Sequence, residues 1–289
     1  DYGIEVDTEA YINNKTTVSS NTVEKTYVDD SMVIYTDSNE ENYTIVKENI
    51  IKEAGEMGID LYSNSSNANN IVEVSDNTVE IGGDDAFEIN SYAGGDSQVT
   101  FARNTMGSVG LDDYEGLDIH LSSDGKNELL IEDNTIDSVG GDGIEISMYS
   151  NNESNHLIMK SNSINSSGDI GYDIFLTSEV DNVLTLEDNQ IIRSFEEGFE
   201  LDITANTGSN VIEIKNNEVG TTMDYGFDIY SESSNNRLDI IGNTFESTVE
   251  ESLLVGVAGE TAELNIRDNI IDFSNDNGNL SKCSTPIEK

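Results

Sequence analysis

One asparagine returns through this chain at a nearly constant interval: Asn21, Asn49, Asn77, Asn104, Asn134, Asn162, Asn189, Asn217, Asn243 and Asn269, in steps of 26 to 30 residues. A fixed period of this size belongs to solenoids and related arrays, where each repeat buries its apolar face only against its neighbours. Three further columns travel with the asparagine. Five residues before it stand Thr16 and Thr44, then apolar residues such as Val72, Leu129, Leu184 and Leu264. Three before stand Val18, Val46, Phe101, Leu186 and Ile266, and two after stand Val23, Val79, Ile136, Ile191 and Ile271. A spacing of two within each run is the period of a strand.

The stretch 183–203, VLTLEDNQIIRSFEEGFELDI, shows the whole unit. Its second half has the form Gly-h-x-h, with h apolar, as in Gly3-Ile4-Glu5-Val6, Gly58-Ile59-Asp60-Leu61, Gly143-Ile144-Glu145-Ile146 and Gly226-Phe227-Asp228-Ile229. Polar stretches such as Ser63 to Asn70, Ser122 to Asn127, Ser150 to Asn155 and Ser231 to Asn236 join the runs. They read as turns, where Asn and Gly take left-handed backbone conformations at low cost.

Two solenoids suit the period. A leucine-rich repeat shares the L-x-L-x-x-N-x-L core that Leu184 to Ile191 matches. It also needs a leucine three residues upstream, where this chain has Asp181 and Ser209. Its second half is usually helical or irregular, whereas here that half alternates and opens on Gly. The pattern therefore predicts an all-β, right-handed parallel β-helix of about ten coils, three short strands per coil, occupying residues 1–272. Residues 273–289 fall outside the repeat and read as a tail or interaction segment. In such a coil the repeated asparagine sits inside a sharp turn. There it hydrogen-bonds to the same amide one coil on, so this column is structural.

The repeat resembles that of the pectate-lyase-like superfamily over nearly the whole chain. That resemblance implies the fold and leaves the activity open, since the superfamily spans polysaccharide lyases, glycoside hydrolases, uronate epimerases, tailspikes, adhesins and surface-layer proteins. Two local stretches resemble enzymes within it. Gly83-Asp84-Asp85 is similar to the paired-Asp motif of polygalacturonases, which would make Asp84 and Asp85 the water-activating pair. The Gly-His-Gly and Arg-x-Lys motifs of those enzymes are missing. Tyr225-Gly226-Phe227-Asp228 is similar to the catalytic stretch of alginate epimerases, with Tyr230 where a histidine is expected.

Charge restricts partners. Asp and Glu number 58 against 13 Lys and Arg, a formal net charge of -45. Such a surface repels nucleic acid, anionic lipid and polyuronates, and attracts cations. A halophile-like solvated surface and a cation-binding one both fit. No apolar run has transmembrane length, so membrane insertion is not expected. Cys283 stands alone, which excludes an internal disulfide framework and leaves a free thiol or an intermolecular pair. The start at Asp1 reads as that of a processed or excised chain.

Stacking in register lines up the outward x of Gly-h-x-h: Glu5, Val33, Asp60, Glu88, Asp118, Glu145, Asp173, Glu200, Asp228, Leu254 and Ser281. Carboxylates about 4.8 Å apart repel by about 1 kcal/mol even in bulk water. The column is therefore either an acidic solvated face or a ladder for divalent cations, most simply Ca²⁺ held by Asp118, Glu145, Asp173, Glu200 and Asp228. A second acidic set precedes it, including Glu56, Asp84, Asp85, Asp113, Glu115, Asp142, Asp169, Glu196, Glu197 and Asp224. Tyr62, His120, Phe175 and Tyr230 lie beside the column, and carboxylates next to aromatics suit sugars. The expected function is a secreted or cell-surface structural or adhesive β-helix, cation-stabilised and joining copies of itself through the coil ends around Ile4, Val6, Leu264, Ile266 and Ile271. The alternative is a glycoside hydrolase-like enzyme or glycan-binding module for a neutral polysaccharide, with Asp84, Asp85, Asp118 and His120 as its candidates.

Overall fold

The structure, a computed structural model, describes residues 2–110 and 114–272. Asp113, Ser281, Cys283 and the segment 273–289 lie outside the described residues. The chain winds into a parallel β-solenoid whose three sheets each hold ten strands, joined only to the strand one coil before and one coil after. The first sheet runs from Ile4–Ala10 to Leu253–Ala258, the second from Asn14–Ser19 to Thr261–Arg267, and the third from Thr22–Val23 to Ile270–Ile271. No helix occurs among the described residues.

Strict alternation makes the strands, because one side of every strand faces the interior and the other faces water. In Ile144–Ser150, for example, Ile144, Ile146 and Met148 are buried while Glu145, Ser147 and Tyr149 are partly open. Equivalent residues pair in register from coil to coil, so each apolar column of the sequence becomes a column in the core. Large rings pack along part of that core. Tyr172, Phe199, Phe227 and Phe245 touch in series, with centroids 4.6 to 4.8 Å apart. The Tyr172 hydroxyl lies fully buried in this row and has no hydrogen-bond partner among the described residues.

The repeated asparagine does what its period implies. The Asn162 backbone N–H and its Nδ2 both donate to Asn189 Oδ1, at 3.1 and 2.9 Å, and Nδ2 also donates to the Ile131 carbonyl at 2.9 Å. The same bonds repeat at Asn49, Asn77, Asn104, Asn134, Asn189, Asn217 and Asn243. Each amide thus serves donors and acceptors that would otherwise be buried without partners.

Two turn assignments from the sequence need correction. No residue of the polar stretches 63–70, 122–127, 150–155 and 231–236 has a left-handed backbone. The left-handed residue is the one just before each ladder asparagine: Glu48, Asp76, Arg103, Asp133 and Asp188 have φ of 55 to 57°. Among the polar stretches, Asn70, Asn127, Asn155 and Asn236 are strand residues with buried side chains, not turn formers. They belong to a second amide ladder, in which Asn127 Nδ2 donates to Asn155 Oδ1 at 2.9 Å and Asn155 Nδ2 to Asn182 Oδ1 at 3.0 Å. The glycine of Gly-h-x-h is required by close packing between coils. A Cβ on Gly198 would come within 2.5 Å of the Gly226 carbonyl and 2.8 Å of Val219, so only a bare backbone fits between two coils.

A carboxylate column and a ring column on the first sheet

The first sheet places the expected column in register. Glu5, Val33, Asp60, Glu88, Asp118, Glu145, Asp173, Glu200, Asp228 and Leu254 are successive Cα partners. Asp60, Glu88, Asp118, Glu145, Asp173 and Asp228 are half-buried, and Glu200 is exposed. No Lys or Arg lies on any strand of this sheet. Burial first, and neighbouring carboxylates second, push Asp60, Asp118, Glu145, Asp173, Glu200 and Asp228 above their ordinary range. Asp60 rises to about 6, Asp118 to about 7 and Asp173 to about 7. Glu145, Glu200 and Asp228 shift the same way, again chiefly through burial.

The tightest acid grouping runs across the column rather than along it. Glu115, Asp142 and Glu145 each offer an oxygen within 4.8 Å of the others. Glu145 comes from the column, and the other two come from the corner that leads into the first sheet. Burial raises Asp142 to about 6, and it raises Glu115 further still, helped by a hydrogen bond to Asp85. Glu145 is the one member of the expected cation set in this grouping. Asp118, Asp173, Glu200 and Asp228 lie above and below it in register but do not join such a group among the described residues.

The corner acids also hold backbone. Asp85 Oδ1 accepts the Glu115 N–H at 2.9 Å, Asp142 Oδ1 accepts the Ile170 N–H at 2.8 Å, and Asp30 Oδ1 accepts the Met57 N–H at 3.0 Å. Each bond ties one corner to the next coil. The two members of the Asp84-Asp85 pair are therefore in different situations. Asp85 is buried and engaged with Glu115, whereas Asp84 is half-exposed and raised mainly by burial.

Beside the acids runs a row of rings. Tyr35, Tyr62, Tyr92, His120, Tyr149 and Phe175 contact one another in that order, with centroids 4.9 to 5.7 Å apart. Periodicity places Tyr35, Tyr62, His120 and Phe175 in one outward column. Tyr92 and Tyr149 belong to the next column, so the row crosses between two columns to stay continuous. Tyr35 and Tyr62 stack with an interplanar angle of 3°, and the later rings tilt by 36 to 46°. Tyr35 and Tyr62 turn their faces to each other, and burial lowers the His120 pKa.

No known protein family, curated protein or solved structure matches the chain. The fold and the chemistry of its faces therefore carry the functional reading.

Proposed function

We propose that this chain is a structural or adhesive β-solenoid of the cell surface or extracellular space, bridged between coils by divalent cations and able to join copies of itself through its coil ends. We further propose that it is a pectate-lyase-like β-helix, on the strength of its Gly-h-x-h and ladder-asparagine repeat. The observation that carries the cation reading is the convergence of Glu115, Asp142 and Glu145 in the middle of a carboxylate column with no cationic side chain. Carboxyl oxygens at this spacing either hold protons or hold a hard cation, and Ca²⁺ accepts such oxygens in flexible geometry. Asp118, Asp173, Glu200 and Asp228 extend the same ladder for further ions. The end-joining part is supported by the first and tenth coils, whose strands pair on one side only among the described residues. Ile4 and Val6 are only partly buried at one end, and Ile266, Ile270 and Ile271 are exposed at the other.

Thermal melting tests the cation reading. Millimolar Ca²⁺ should raise Tm by several degrees beyond NaCl of equal ionic strength, because a bridging ion binds only the folded chain. Replacing Glu115, Asp142 and Glu145 together by Gln, Asn and Gln should remove that increment. Equal gains from matched NaCl would reduce the column to a screened acidic face. Electron microscopy in Ca²⁺ tests the ends. Particles that stay single, with no change on Ile4→Lys with Val6→Lys, would remove that part of the proposal.

The glycan alternative draws on the ring row. Its support is reduced because sugar stacking needs open ring faces, and Tyr35 and Tyr62 stack on each other. Asp85, one of the enzyme candidates, is engaged in holding the corner.

A further inference from the structure

The outward face of the second sheet differs in charge from the rest of this molecule. On the first sheet the strands carry thirteen acids and no cationic residue. On the second they carry Lys15, Lys47, Lys160, Lys215, Arg237 and Arg267 against seven acids, so this face is close to neutral in a chain of -45. Along its middle run partly exposed apolar side chains, among them Ile45, Ile71, Leu130, Ile158, Val183 and Val211. Another copy can approach this face without the repulsion met on the first sheet.

We propose that the second sheet's face is a dimer interface, in which two copies of this chain pack face to face with antiparallel solenoid axes. A two-fold axis lying along the strands between the fifth and sixth coils brings the first coil over the tenth, the second over the ninth and the third over the eighth. Residues meet within the same outward column, as the strand register defines it. Lys15 then meets Glu263, and Tyr43 meets Arg237. Ile71 meets Val211. At the centre Leu130 meets Ile158, and Glu132 meets Lys160. Opposite charges therefore meet at Lys15 with Glu263 and at Glu132 with Lys160, and aliphatic side chains meet at Ile71 with Val211 and at Leu130 with Ile158.

Three pairings oppose this arrangement: Ile45 faces Asp239, Lys47 faces Ile241, and Glu73 faces Glu213. The two glutamates already have partners in their own chain. Tyr43 Oη donates to Glu73 at 2.8 Å, and Lys215 Nζ lies 2.6 Å from Glu213. The size is also suitable. Six-residue strands are about 20 Å long, and ten coils at about 4.8 Å rise over roughly 45 Å, giving about 900 Å² per partner. Stable interfaces bury about 800 Å² per partner. This proposal does not rest on the cation ladder or the coil ends, which lie on other surfaces.

Sedimentation velocity of the full chain tests it, in about 150 mM NaCl so that the overall charge is screened, with reductant present so that Cys283 makes no bridge. Lys15 and Glu263 are the informative pair, because nine strand spacings, about 43 Å, separate them within one chain. The wild type should dimerise at micromolar concentration. Lys15→Glu and Glu263→Lys should each weaken the dimer about tenfold, since each change disrupts two symmetry-related contacts. The double variant Lys15→Glu with Glu263→Lys should restore affinity to near wild type. Ile158→Lys, with the strand circular dichroism unchanged, should leave monomers. A wild type that stays monomeric up to about 100 µM overturns the proposal. So does a double variant as weak as the single ones, or an assembly that grows past the dimer and ignores Ile158→Lys.

Discussion

Replacing Asp118 by Asn should stabilise this protein at pH 8 and lose that effect in acid. Asp118 sits between Glu88 and Glu145 in the first sheet's register, and burial followed by those charges and Asp85 raises its carboxyl from 3.8 to about 7. The sign follows from proton counting. Below about pH 4 the carboxyl is protonated in both states, so nothing is lost. Between pH 4 and 7 the unfolded chain releases the proton that the folded chain keeps, and stability falls as pH rises. Above 7 the loss is complete and amounts to about 4 kcal/mol for a move of this size. The amide retains the shape without the charge but carries its own desolvation, so the net gain at pH 8 should be about 2 kcal/mol. For a chain of this length that is a rise in Tm of roughly 4–8 °C. At pH 4.5, where the ionisation loss has fallen by about 3 kcal/mol, the gain should be gone and the variant no more stable than the wild type. Melting followed by circular dichroism at the two pH values, in chelator, measures both. A variant no more stable than the wild type at pH 8, or one with the same gain at both, would refute the reasoning. Added Ca²⁺ should narrow the difference at pH 8, because it stabilises the ionised wild type.

Other outcomes follow from particular side chains. The wild type itself should melt higher at pH 5 than at pH 8, since Asp60, Asp142, Asp173 and Glu197 share the upward shift and its sign; a flat or opposite profile would count against it. Tyr172→Phe should raise stability by about 1 kcal/mol in denaturant titration by removing a buried hydroxyl without a partner. Asn162→Ala should destabilise by about 2–4 kcal/mol, because it leaves the Asn134 N–H and Nδ2 without their acceptor and removes the Nδ2 donor from Asn189 Oδ1 and the Ile131 carbonyl, although the residue-162 N–H still reaches Asn189. Glu48→Gly should be neutral to stabilising by up to about 1 kcal/mol, since its φ of 55° suits glycine; a loss of stability would show that the Glu48 side chain contributes more than its backbone strain removes.

The sequence by itself determined the coil count, the three strands per coil and the columns that fill the core. It also determined the succession of acids from Asp60 to Asp228, because strand alternation and translation by one coil are the only operations needed to place them. Where the backbone leaves that period, the sequence was silent or misread. Nothing in the spacing says that the left-handed residue is Asp188 rather than the nearby turn residues, or that Asn155 forms a second buried ladder. The corner acids Asp85, Glu115 and Asp142 stand out in the sequence as a second acidic set, but their convergence escaped for the same reason. Asp142 reaches Glu145 and Glu115 through the path of a turn, and Asp85 is aimed at the Glu115 N–H by that path. The ring row needed the structure too, since Tyr92 and Tyr149 enter it from a different column and contact depends on how each ring leans. Periodicity fixes which column a residue occupies; only the turns and the side-chain directions decide which columns touch.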